Sequence, residues 1–566
     1  MDRHGYPCPI VAILEERRGR HGVEPQVGGD HRVPVARPER GGAPPAHTVR
    51  LVLGVLALVL IAFGIRLFVG MHQRLDADEA VEGISALRIL HGDLALMENN
   101  ARYQGALDSY LIAPFLMALG PSLLAVRTAT AFFGALYVGL MFALGRRVLN
   151  SDGAGFLVGG IATLFPLYAI TFGTRARTYG LLLVLETLVL LLWIRLAWSN
   201  SRPGGRAWAV TGLLAGLGLW TNLLLALPTA VGLTAALARG HVSGWQRAWR
   251  SLALAAVGAA VGFLPWIVYN TAVSQLGSLR HLDATATAHS TSPISAFGYL
   301  LSTGLPIFVG VQQDDCGSSS APALAVDLAL LALALAVVYL RRRSLASLVR
   351  GRFSELEPVD TVLAMGPLTL LAVSTGFFPA VRCEPRYVMP LAVPLAFAVG
   401  LVLMARVPWR AIGVAMIAGW LAVEVVVAHD VGGPPADPST AAQAATRVDL
   451  AAATVQVEAA HPQAVWAEIW LARPVQFYSG DRLVVGEYGG YVGFPATQRR
   501  AMQAEHPSWL FMDSDRQVAA FTAECARRRI TYSVSRPAPG LVLFSRLSQP
   551  LTPSDLHLGG QSLDQV

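Results

Sequence analysis

The segment LVLGVLALVLIAFGIRLFVG, residues 51–70, is followed at once by MHQRLDADEA, residues 71–80, in which Asp76, Asp78 and Glu79 fall within four positions. The first segment has the length of about 20 residues that an α-helix needs to cross the hydrocarbon core of a bilayer. Carboxylates crowded at the end of such a segment are costly and favour a functional interpretation. The junction therefore predicts a membrane-spanning helix that ends beside an acidic site.

The overall composition supports the same interpretation. The 566 residues are 54% hydrophobic and 14% charged, with a mean hydropathy of +0.48, which indicates a polytopic α-helical membrane protein. The net charge of +7 comes from arginine alone, because the sequence has no lysine, and we expect no nucleic-acid partner. Four cysteines are too few for a disulfide framework. A single bridge between Cys316 and Cys383 stays an open alternative, since both are expected on one face of the membrane.

Composition divides the chain into three regions. Residues 1–47 lack periodicity and predict a disordered cytoplasmic tail, and no signal-peptide pattern precedes the first span. Residues 48–429 predict a transmembrane domain whose first outer loop covers residues 71–122. Residues 430–566, in which short strands alternate with helices, predict a small extracytoplasmic α/β domain. This last region has no nucleophile elbow, P-loop or dinucleotide fingerprint.

Hydropathy predicts about eleven membrane spans, and the arginines predict their orientation. Arginines concentrate in alternate loops, for example at 146–147, 239–250 and 341–352, which the positive-inside rule assigns to the cytoplasm together with the N-terminus. The acidic loop and the C-terminal domain then lie outside. The predicted spans are 51–70, 124–144, 155–172, 179–196, 209–225, 226–238, 252–269, 322–340, 361–378, 387–404 and 411–427.

Two pairs of arginines, each next to a tyrosine, fall on the outer side against this rule. One explanation is that arginines at helix ends extend their charged heads to the interface. The alternative is that their guanidinium groups hold an anionic lipid head group, because a guanidinium binds phosphate with two hydrogen bonds. The residues are Arg175 and Arg177 with Tyr179, and Arg382 and Arg386 with Tyr387.

The three carboxylates of the first outer loop also have a structural explanation. Asp76 and Glu79 have the D-x-x-E spacing of a helix capping box, in which the N-cap and N3 side chains bind each other's backbone N–H groups. Capping accounts for Asp76 and in part for Glu79. It leaves Asp78, which would stand in the first helical turn and would favour the helix dipole there. Asp78 is therefore the candidate catalytic residue, with Glu79 beside it.

Other polar residues of the outer loops suggest ligand contacts. Tyr103, Gln104 and Asp108 lie in a polar stretch between two apolar helical segments, and we expect them on a surface that binds the sugar or the acceptor. In a second outer loop, His281, Asp283 and His289 match no strong metal-ligand spacing. The sequence assigns no metal site and no cofactor, and a divalent metal stays an open alternative.

Five stretches resemble the GT-C membrane glycosyltransferases, in the branch of protein O-mannosyltransferases and bacterial aminoarabinose transferases. They are DADEAVEGISALRILHGD (76–93), ARYQGALDSYLIAPFLMALG (101–120), TFGTRARTYGLLL (171–183), GLLAGLGLWTNLLLALP (212–228) and EPRYVMPL (384–391), with a weaker similarity at IWLARPVQFYSGDRL (469–483). The Asp-Glu pair gains weight from its position directly after the first span.

The resemblance implies a fold, an activity and a location. It implies a bacterial inner-membrane enzyme that takes a sugar from a polyprenyl phosphate, with Asp78 acting on the acceptor and the four arginines holding the lipid phosphate. The acceptor would be a glycan, a lipid or a protein. The family's downstream Glu-Lys pair is absent, because this chain has Arg102, Tyr103 and Gln104 there, so a lipid A acceptor is unsupported.

Two other classes of protein fit the span count. A transporter or flippase for a lipid-linked substrate would show inverted repeats and polar groups at mid-bilayer, whereas here repeats are not evident and polar groups cluster at one face. A membrane scaffold whose outer domain binds partners is the third class. Assay of sugar transfer from a polyprenyl phosphate donor separates the three.

Overall fold

In the computed structural model, residues Leu51–Val566 form one compact unit. The structure describes residues 46–99, 103–199, 203–239, 245–280, 292–310, 321–377, 385–405, 448–490 and 492–558, with a few residues between 409 and 419. The predicted N-terminal tail, Arg382, both cysteines of the proposed bridge and the histidines of the second outer loop lie outside these ranges. The predicted domain boundary at residue 430 also lies outside them.

The membrane part is built of helices throughout. Short 3₁₀ or π segments join some of them, including 3₁₀ helices at Leu223–Leu225 and Pro385–Leu391. In chain order the α-helices are α1 (Ala46–Met71), α2 (Ala77–Leu90), α3 (Leu107–Leu119), α4 (Leu123–Leu149), α5 (Asp152–Leu164), α6 (Leu167–Thr171), α7 (Thr178–Ala197), α8 (Gly205–Thr221), α9 (Ala226–Ala238), α10 (Trp245–Gly262), α11 (Leu264–Val268), α12 (Pro293–Tyr299), α13 (Leu305–Val309), α14 (Ala321–Leu340), α15 (Arg342–Val349), α16 (Pro358–Ala372) and α17 (Ala392–Met404).

Five of the described helical segments are long and apolar enough to cross a membrane, or seven if each of two bent pairs is one span. The five are Ala46–Met71, Leu123–Leu149, Thr178–Ala197, Pro358–Thr375 and Arg386–Met404. Four shorter apolar helices, among them α3 and α5, accompany them. The number of about eleven stays a prediction, because its last member, 411–427, falls largely outside the described residues.

The long helices differ in how far they are enclosed by the rest of the chain. In the most apolar window of α7, 83% of the residues are buried, against 67% in α4 and 11% in α1. α4, α7 and the segment Arg386–Met404, which is 72% buried, are therefore the most enclosed of the long helices, and α1 exposes most of its apolar side chains, as a lipid-facing helix does. The predicted span 155–172 is interrupted, because α5 ends before Phe165-Pro166 and a proline lacks the N–H that would continue the helix.

The C-terminal part is a five-stranded sheet with helices on both faces. The helices are α18 (Leu450–Ala459), α19 (Ile469–Tyr478), α20 (Pro495–Met502) and α21 (Arg516–Arg528). The strands are β1 (Val465–Glu468), β2 (Val485–Tyr488), β3 (Ser508–Met512), β4 (Ser533–Ser535) and β5 (Leu541–Ser545). Their order is β2-β1-β3-β5-β4, and β1 runs parallel to β2 and β3 while β5 runs antiparallel to β3 and β4.

Alternation along the strands explains why this sheet is covered on both sides. Val465 and Ala467 of β1 join a cluster with residues of α18 and α19, whereas Trp466 between them joins a second cluster with Phe521 of α21. Successive side chains of a strand point to opposite faces, so an apolar residue at each position requires a helix on each face. The small α/β domain predicted from the sequence is confirmed.

Candidate functional site

The site begins at the N-terminus of α2, where the predicted capping box is present. The Oδ1 atom of Asp76 accepts a hydrogen bond from the N–H of Glu79 at 2.8 Å, and the N–H of Asp76 donates to Glu79 Oε2 at 3.1 Å. Two of the four N–H groups that a helix leaves without intrahelical partners are thereby satisfied. This fixes the point at which the chain leaves α1 and turns into α2.

Glu79 also forms an ion pair with Arg127 of α4, and both side chains are fully buried. The guanidinium of Arg127 donates further to the carbonyl oxygens of Gly70 and Thr174, each at 3.0 Å. The Oε1 atom of Glu79, which pairs with Arg127, also accepts the N–H of Ala176 at 2.7 Å. Glu79 thus ties together α1, α2, α4 and the segment before α7, and its carboxylate lies away from solvent.

Asp78, one residue before Glu79, is turned toward the surface and remains 26% exposed. Its Oδ2 atom lies 2.7 Å from an Nη2 nitrogen of Arg177, and that same nitrogen lies 3.0 Å from Oδ2 of Asp76. Although burial opposes its charge, Asp76 and Asp78 together raise the pKa of Arg177 above its ordinary value. Arg177 is therefore a bridge between two carboxylates, a more specific role than the lipid-phosphate contact expected for it.

The opposite oxygen of Asp78 meets a residue that the sequence did not indicate. Arg473, on α19 of the C-terminal part, places Nη1 at 3.5 Å from Asp78 Oδ1. The only sequence signal near it is the weak similarity at residues 469–483. A carboxylate with one guanidinium at each oxygen is held in a defined orientation, because charge-assisted hydrogen bonds are the strong ones.

Arg175 lies at the edge of this group. Its Nη1 is 3.8 Å from Asp76 Oδ2, and 36% of its side chain is exposed. The guanidinium groups of Arg175 and Arg177 both lie over the ring of Phe172, at 5.3 and 5.4 Å from its centroid. Burial opposes ionisation of Asp76, but Arg177 and Arg175 overcome it and lower the pKa of Asp76.

A group of tyrosines lies next to these arginines. Tyr103 is hydrogen-bonded to Tyr387 and lies near Tyr179 and Arg386, and burial with the two neighbouring phenols raises the pKa of Tyr103 well above its ordinary value. Arg386 stacks on Tyr387 at 5.2 Å and is near enough to Arg177 to oppose its charge. Two like charges in proximity favour an anion beside them. The arginines and tyrosines expected from the outer loops thus meet in one place, apart from Arg382, which lies outside the described residues.

Gln104 helps to hold the loop that carries Tyr103. It is buried, and its Oε1 atom accepts a hydrogen bond from the Thr178 hydroxyl at 3.3 Å, at the first residue of α7. The N–H of Gly105 donates to the carbonyl of Thr221 at 3.3 Å. These contacts anchor the loop that carries Tyr103 to the ends of α7 and α8.

A second set of carboxyls comes together from α2, from the loop after it and from α3. Glu82, Glu98 and Asp108 are each at most 5% exposed, and we call them the carboxyl cluster. The hydroxyl of Ser109 donates to Glu82 at 2.6 Å. Burial raises the pKa of Asp108 to about 7, and burial with the charge of Asp108 raises the pKa of Glu98 to about 8. Glu82, which the sequence did not single out, has a pKa raised well above its ordinary value by burial and by both neighbours.

Asp108 was expected to contact the sugar or the acceptor, and the structure places it inside the protein. Only 1% of it is exposed, and the N–H of Ser109 donates to its Oδ1 atom at 3.0 Å. Asp108 is therefore positioned to support α2 from the interior of the protein. Among the described residues, no group of three His, Cys, Asp or Glu side chains could hold a metal ion.

The arrangement can bind an anion and position a base. Arg175, Arg177 and Arg386 concentrate positive charge at one end of α7. Asp78 lies at their edge and is partly open to solvent. Such a constellation suits the departure of a phosphate on one side and the activation of a hydroxyl on the other.

Known proteins resemble this chain in sequence and in fold. No protein-family model matches the chain. It is similar to the undecaprenyl phosphate-α-4-amino-4-deoxy-L-arabinose arabinosyl transferase of Pseudomonas aeruginosa, with 29% identity over 222 residues, or 37% of this chain and 39% of that protein. A second such transferase, from Pseudomonas fluorescens, is 29% identical over 225 residues, or 38% of this chain and 37% of that protein. The similarity thus spans about two fifths of the length of these relatives.

Solved structures extend the similarity to nearly the whole chain. The crystal structure of ArnT from Cupriavidus metallidurans bound to undecaprenyl phosphate matches 89% of this chain and 99% of ArnT, with a TM-score of 0.57 and 15% identity. The apo form of the same protein matches 91% and 100%, with a TM-score of 0.56. The GT-C-like membrane fold with a small C-terminal α/β part, expected from the sequence, is confirmed.

Proposed function

We propose that this protein, which has the fold of the ArnT structures, transfers a sugar from a polyprenyl-phosphate donor to an acceptor hydroxyl at the outer face of the membrane. The observation that carries the proposal is the position of Asp78, which lies between Arg177 and Arg473. Arg175 and Arg386, which we call the anion locus, lie beside it. Similarity to a transferase named for an undecaprenyl phosphate-linked sugar, and to a structure bound to undecaprenyl phosphate, supports the same donor class.

The phosphate of the donor is the leaving group in this reaction. Negative charge grows on it as the glycosidic bond breaks, and preorganised guanidinium groups stabilise such charge in the transition state. Arg175 and Arg386 are the groups assigned to the phosphate, with Tyr103, Tyr179 and Tyr387 around it. Arg177 connects this locus to Asp78, because it already holds the Asp78 carboxylate at 2.7 Å.

Asp78 acts as the general base in the proposed mechanism. It removes the proton of the acceptor hydroxyl as that oxygen attacks the anomeric carbon. Attack on the face opposite the phosphate inverts the anomeric centre, and a single carboxylate then suffices, since no covalent intermediate forms. Glu79 is assigned a positioning role, because it is fully buried against Arg127 and does not reach the surface that Asp78 reaches.

The sequence adds the proposed surroundings of the enzyme. The arginine-rich loops support a cytoplasmic N-terminus and an acidic loop on the outer side, and the proposed location is the inner membrane of a bacterium. Membrane lipids surround the helices, and the acceptor is a glycan, a lipid or a protein. The absence of the family's Glu-Lys pair leaves lipid A without support as that acceptor.

Asp78→Asn tests the proposal. The assay follows transfer of labelled sugar from undecaprenyl phosphate-linked 4-amino-4-deoxy-L-arabinose, and from the mannose analogue, to membranes of a strain that lacks the protein. Removal of a general base lowers kcat roughly 100- to 10,000-fold. Asp152→Asn is the matched control, because Asp152 pairs with Arg146 at the end of α4 that lies opposite to Arg127. Turnover by Asp78→Asn close to that of the control would contradict the assignment.

The transporter hypothesis is tested by the same preparation. In proteoliposomes, an enzyme of this kind releases undecaprenyl phosphate from the donor when acceptor is present. A flippase moves the intact donor between leaflets and releases none. Movement of donor without release of undecaprenyl phosphate would replace the proposed function with transport.

A further inference from the structure

We propose that Arg473 of the C-terminal domain is a positioning residue for Asp78, so that the active site is complete only when this domain lies on α2. The inference rests on the proposed role of Asp78 as the base. It assigns to the C-terminal domain a direct part in sugar transfer.

The first observation is the burial of Arg473. Only 1% of the residue is exposed, yet it lies on a helix of a water-soluble type of domain, where arginines are seldom fully buried unless paired. Its Nε and Nη2 atoms both donate to Glu487 Oε2 at 3.3 Å, and its remaining nitrogen, Nη1, points to Asp78. The guanidinium is therefore divided between one partner within its own domain and one on α2.

The second observation is that Glu487 is itself fixed. Glu487 lies on β2, where its backbone N–H and carbonyl exchange hydrogen bonds with the amide of Gln498 at 2.8 and 2.9 Å. The N–H of Gly493 donates to its Oε2 atom at 3.2 Å. A carboxylate held this way orients the guanidinium that it binds, since the planar fork of arginine transmits the orientation of one partner to the other.

The third observation is that the domain is docked onto α2 by other contacts. Arg88, three turns after Asp78, donates to both carboxylate oxygens of Asp481 at 2.8 and 3.3 Å. It also donates to Thr497 at 2.8 Å and stacks on Phe494 at 4.3 Å. Phe477 of α19 packs against Gly83, where a Cβ atom would overlap its ring. Docking therefore does not depend on Arg473, and that residue is available for another task.

The physical consequence concerns the rotamer of Asp78. Arg177 holds Oδ2 and Arg473 approaches Oδ1, so the carboxylate plane is determined by two cations from two parts of the chain. With Arg473 removed, Oδ1 loses this guanidinium and the carboxylate can rotate toward Arg177. A base misplaced by about 1 Å costs on the order of 100-fold in rate, because proton transfer requires hydrogen-bond distance.

Three variants test the inference in full-length protein, with the labelled-sugar assay described above. Arg473→Met is expected to lower kcat at least tenfold while the donor KM changes less than twofold. The kcat of Arg473→Lys should lie between those of wild type and Arg473→Met. An ammonium supplies charge without the guanidinium fork that joins Glu487 to Asp78. Glu487→Gln touches neither Asp78 nor substrate and should also lower kcat, through the lost orientation of Arg473.

The control variant is Arg88→Met, which removes an ion pair of the same domain contact without touching Asp78. We expect it to lower the melting temperature while kcat stays within threefold of wild type. The double variant Arg473→Met/Glu487→Gln leaves no buried charge unpaired and guards against misfolding. Its kcat should equal that of Arg473→Met alone, because the two residues act through one contact.

The outcomes separate the two proposals. If wild type transfers sugar and folded Arg473→Met does so within twofold of it, or if Arg88→Met loses as much kcat as Arg473→Met, the positioning role is wrong and the proposed function stands. If wild type transfers no sugar from any polyprenyl phosphate donor, the proposed function fails first.

Discussion

Two sets of three carboxyls lie on or beside α2, and they differ in their partners. Asp76, Asp78 and Glu79, the arginine-paired set, contact Arg177, Arg473 and Arg127. The carboxyl cluster consists of Glu82, Glu98 and Asp108, and within the described part of the chain no arginine or histidine forms an ion pair with it.

The comparison shows that the partner, more than burial, decides the charge of a carboxyl here. Burial acts on both sets and opposes ionisation. In Asp76 the two nearby arginines overcome burial and lower the pKa, whereas in Asp108 burial prevails and raises the pKa to about 7. Carboxyls that lie close together around α2 thus differ in pKa according to whether an arginine is near them.

The largest expected effect on stability follows from replacing Glu79, the fully buried member of the arginine-paired set. Glu79→Gln leaves the guanidinium of Arg127 buried without a counter-charge, and such a loss costs about 3–5 kcal/mol of stability. Thermal unfolding in detergent, followed by tryptophan fluorescence, measures it. The double variant Glu79→Gln/Arg127→Met should recover part of the loss. Equal melting temperatures for Glu79→Gln and wild type would show that the pair does not stabilise the fold.

A smaller effect is expected at the glycine directly after the first member of the carboxyl cluster. Gly83→Ala places a methyl group against the ring of Phe477, and overpacking of this kind costs about 1–3 kcal/mol. The domain should loosen on α2, so limited proteolysis between the membrane part and the C-terminal part should become faster. Gly92→Ala at the end of α2 is not a matched control, because its φ is +92°; Gly160→Ala, which meets no atom within 4 Å, is.

The carboxyl cluster predicts a pH dependence of stability. The folded protein binds protons that the unfolded chain releases between the ordinary carboxyl range and about pH 8, so stability is greatest at low pH and falls as pH rises through this window. The slope is at most about 1.4 kcal/mol per pH unit for each proton. Melting temperatures measured from pH 5 to pH 9 should fall, and Glu98→Gln with Asp108→Asn should flatten the curve. If the curve of this double variant runs parallel to that of wild type, Glu98 and Asp108 are not the source of the pH dependence. Glu505→Gln at the surface is the control variant.

The smallest effect is expected where a carboxylate–arginine pair lies at the surface. Arg482 is 71% exposed and pairs with Glu458 at 2.9 Å. Exposed pairs contribute about 0–1 kcal/mol, because solvent and salt screen them. Arg482→Ala should therefore change the melting temperature by no more than about a degree or two. If Arg482→Ala lowered the melting temperature as much as Glu79→Gln does, burial would not explain the difference between the Arg482–Glu458 and Arg127–Glu79 pairs.

Local pattern was sufficient for much of the acidic loop. The spacing of Asp76 and Glu79 predicted the capping box, and the structure has it. The short strands predicted between helices in residues 430–566 are also present, as a five-stranded sheet. These features depend on neighbours within a few positions, where backbone geometry leaves few alternatives.

The arginines predicted on the outer side of the membrane, against the positive-inside rule, indicated where part of the site lies but not which residues they contact. Arg175 and Arg177 were expected beside a lipid phosphate, and the structure shows Arg177 between Asp76 and Asp78. Sequence could indicate that these arginines were unusual for their side of the membrane. It could not say whether a carboxylate or a ligand balances their charge, because that depends on how α2 and α7 meet.

The sequence by itself determined the first long apolar helix, the capped start of α2 and the acidic character of the loop, since each follows from hydrophobicity or short-range spacing. Only the tertiary structure decided which carboxylates meet arginines. Arg473 reaches Asp78 across 395 positions of the chain, and Arg127 reaches Glu79 across 48. Such pairs depend on the packing of whole helices and of a separate sheet, and no local pattern specifies them. The same packing placed Glu82, Glu98 and Asp108 together, where burial raises the pKa of each.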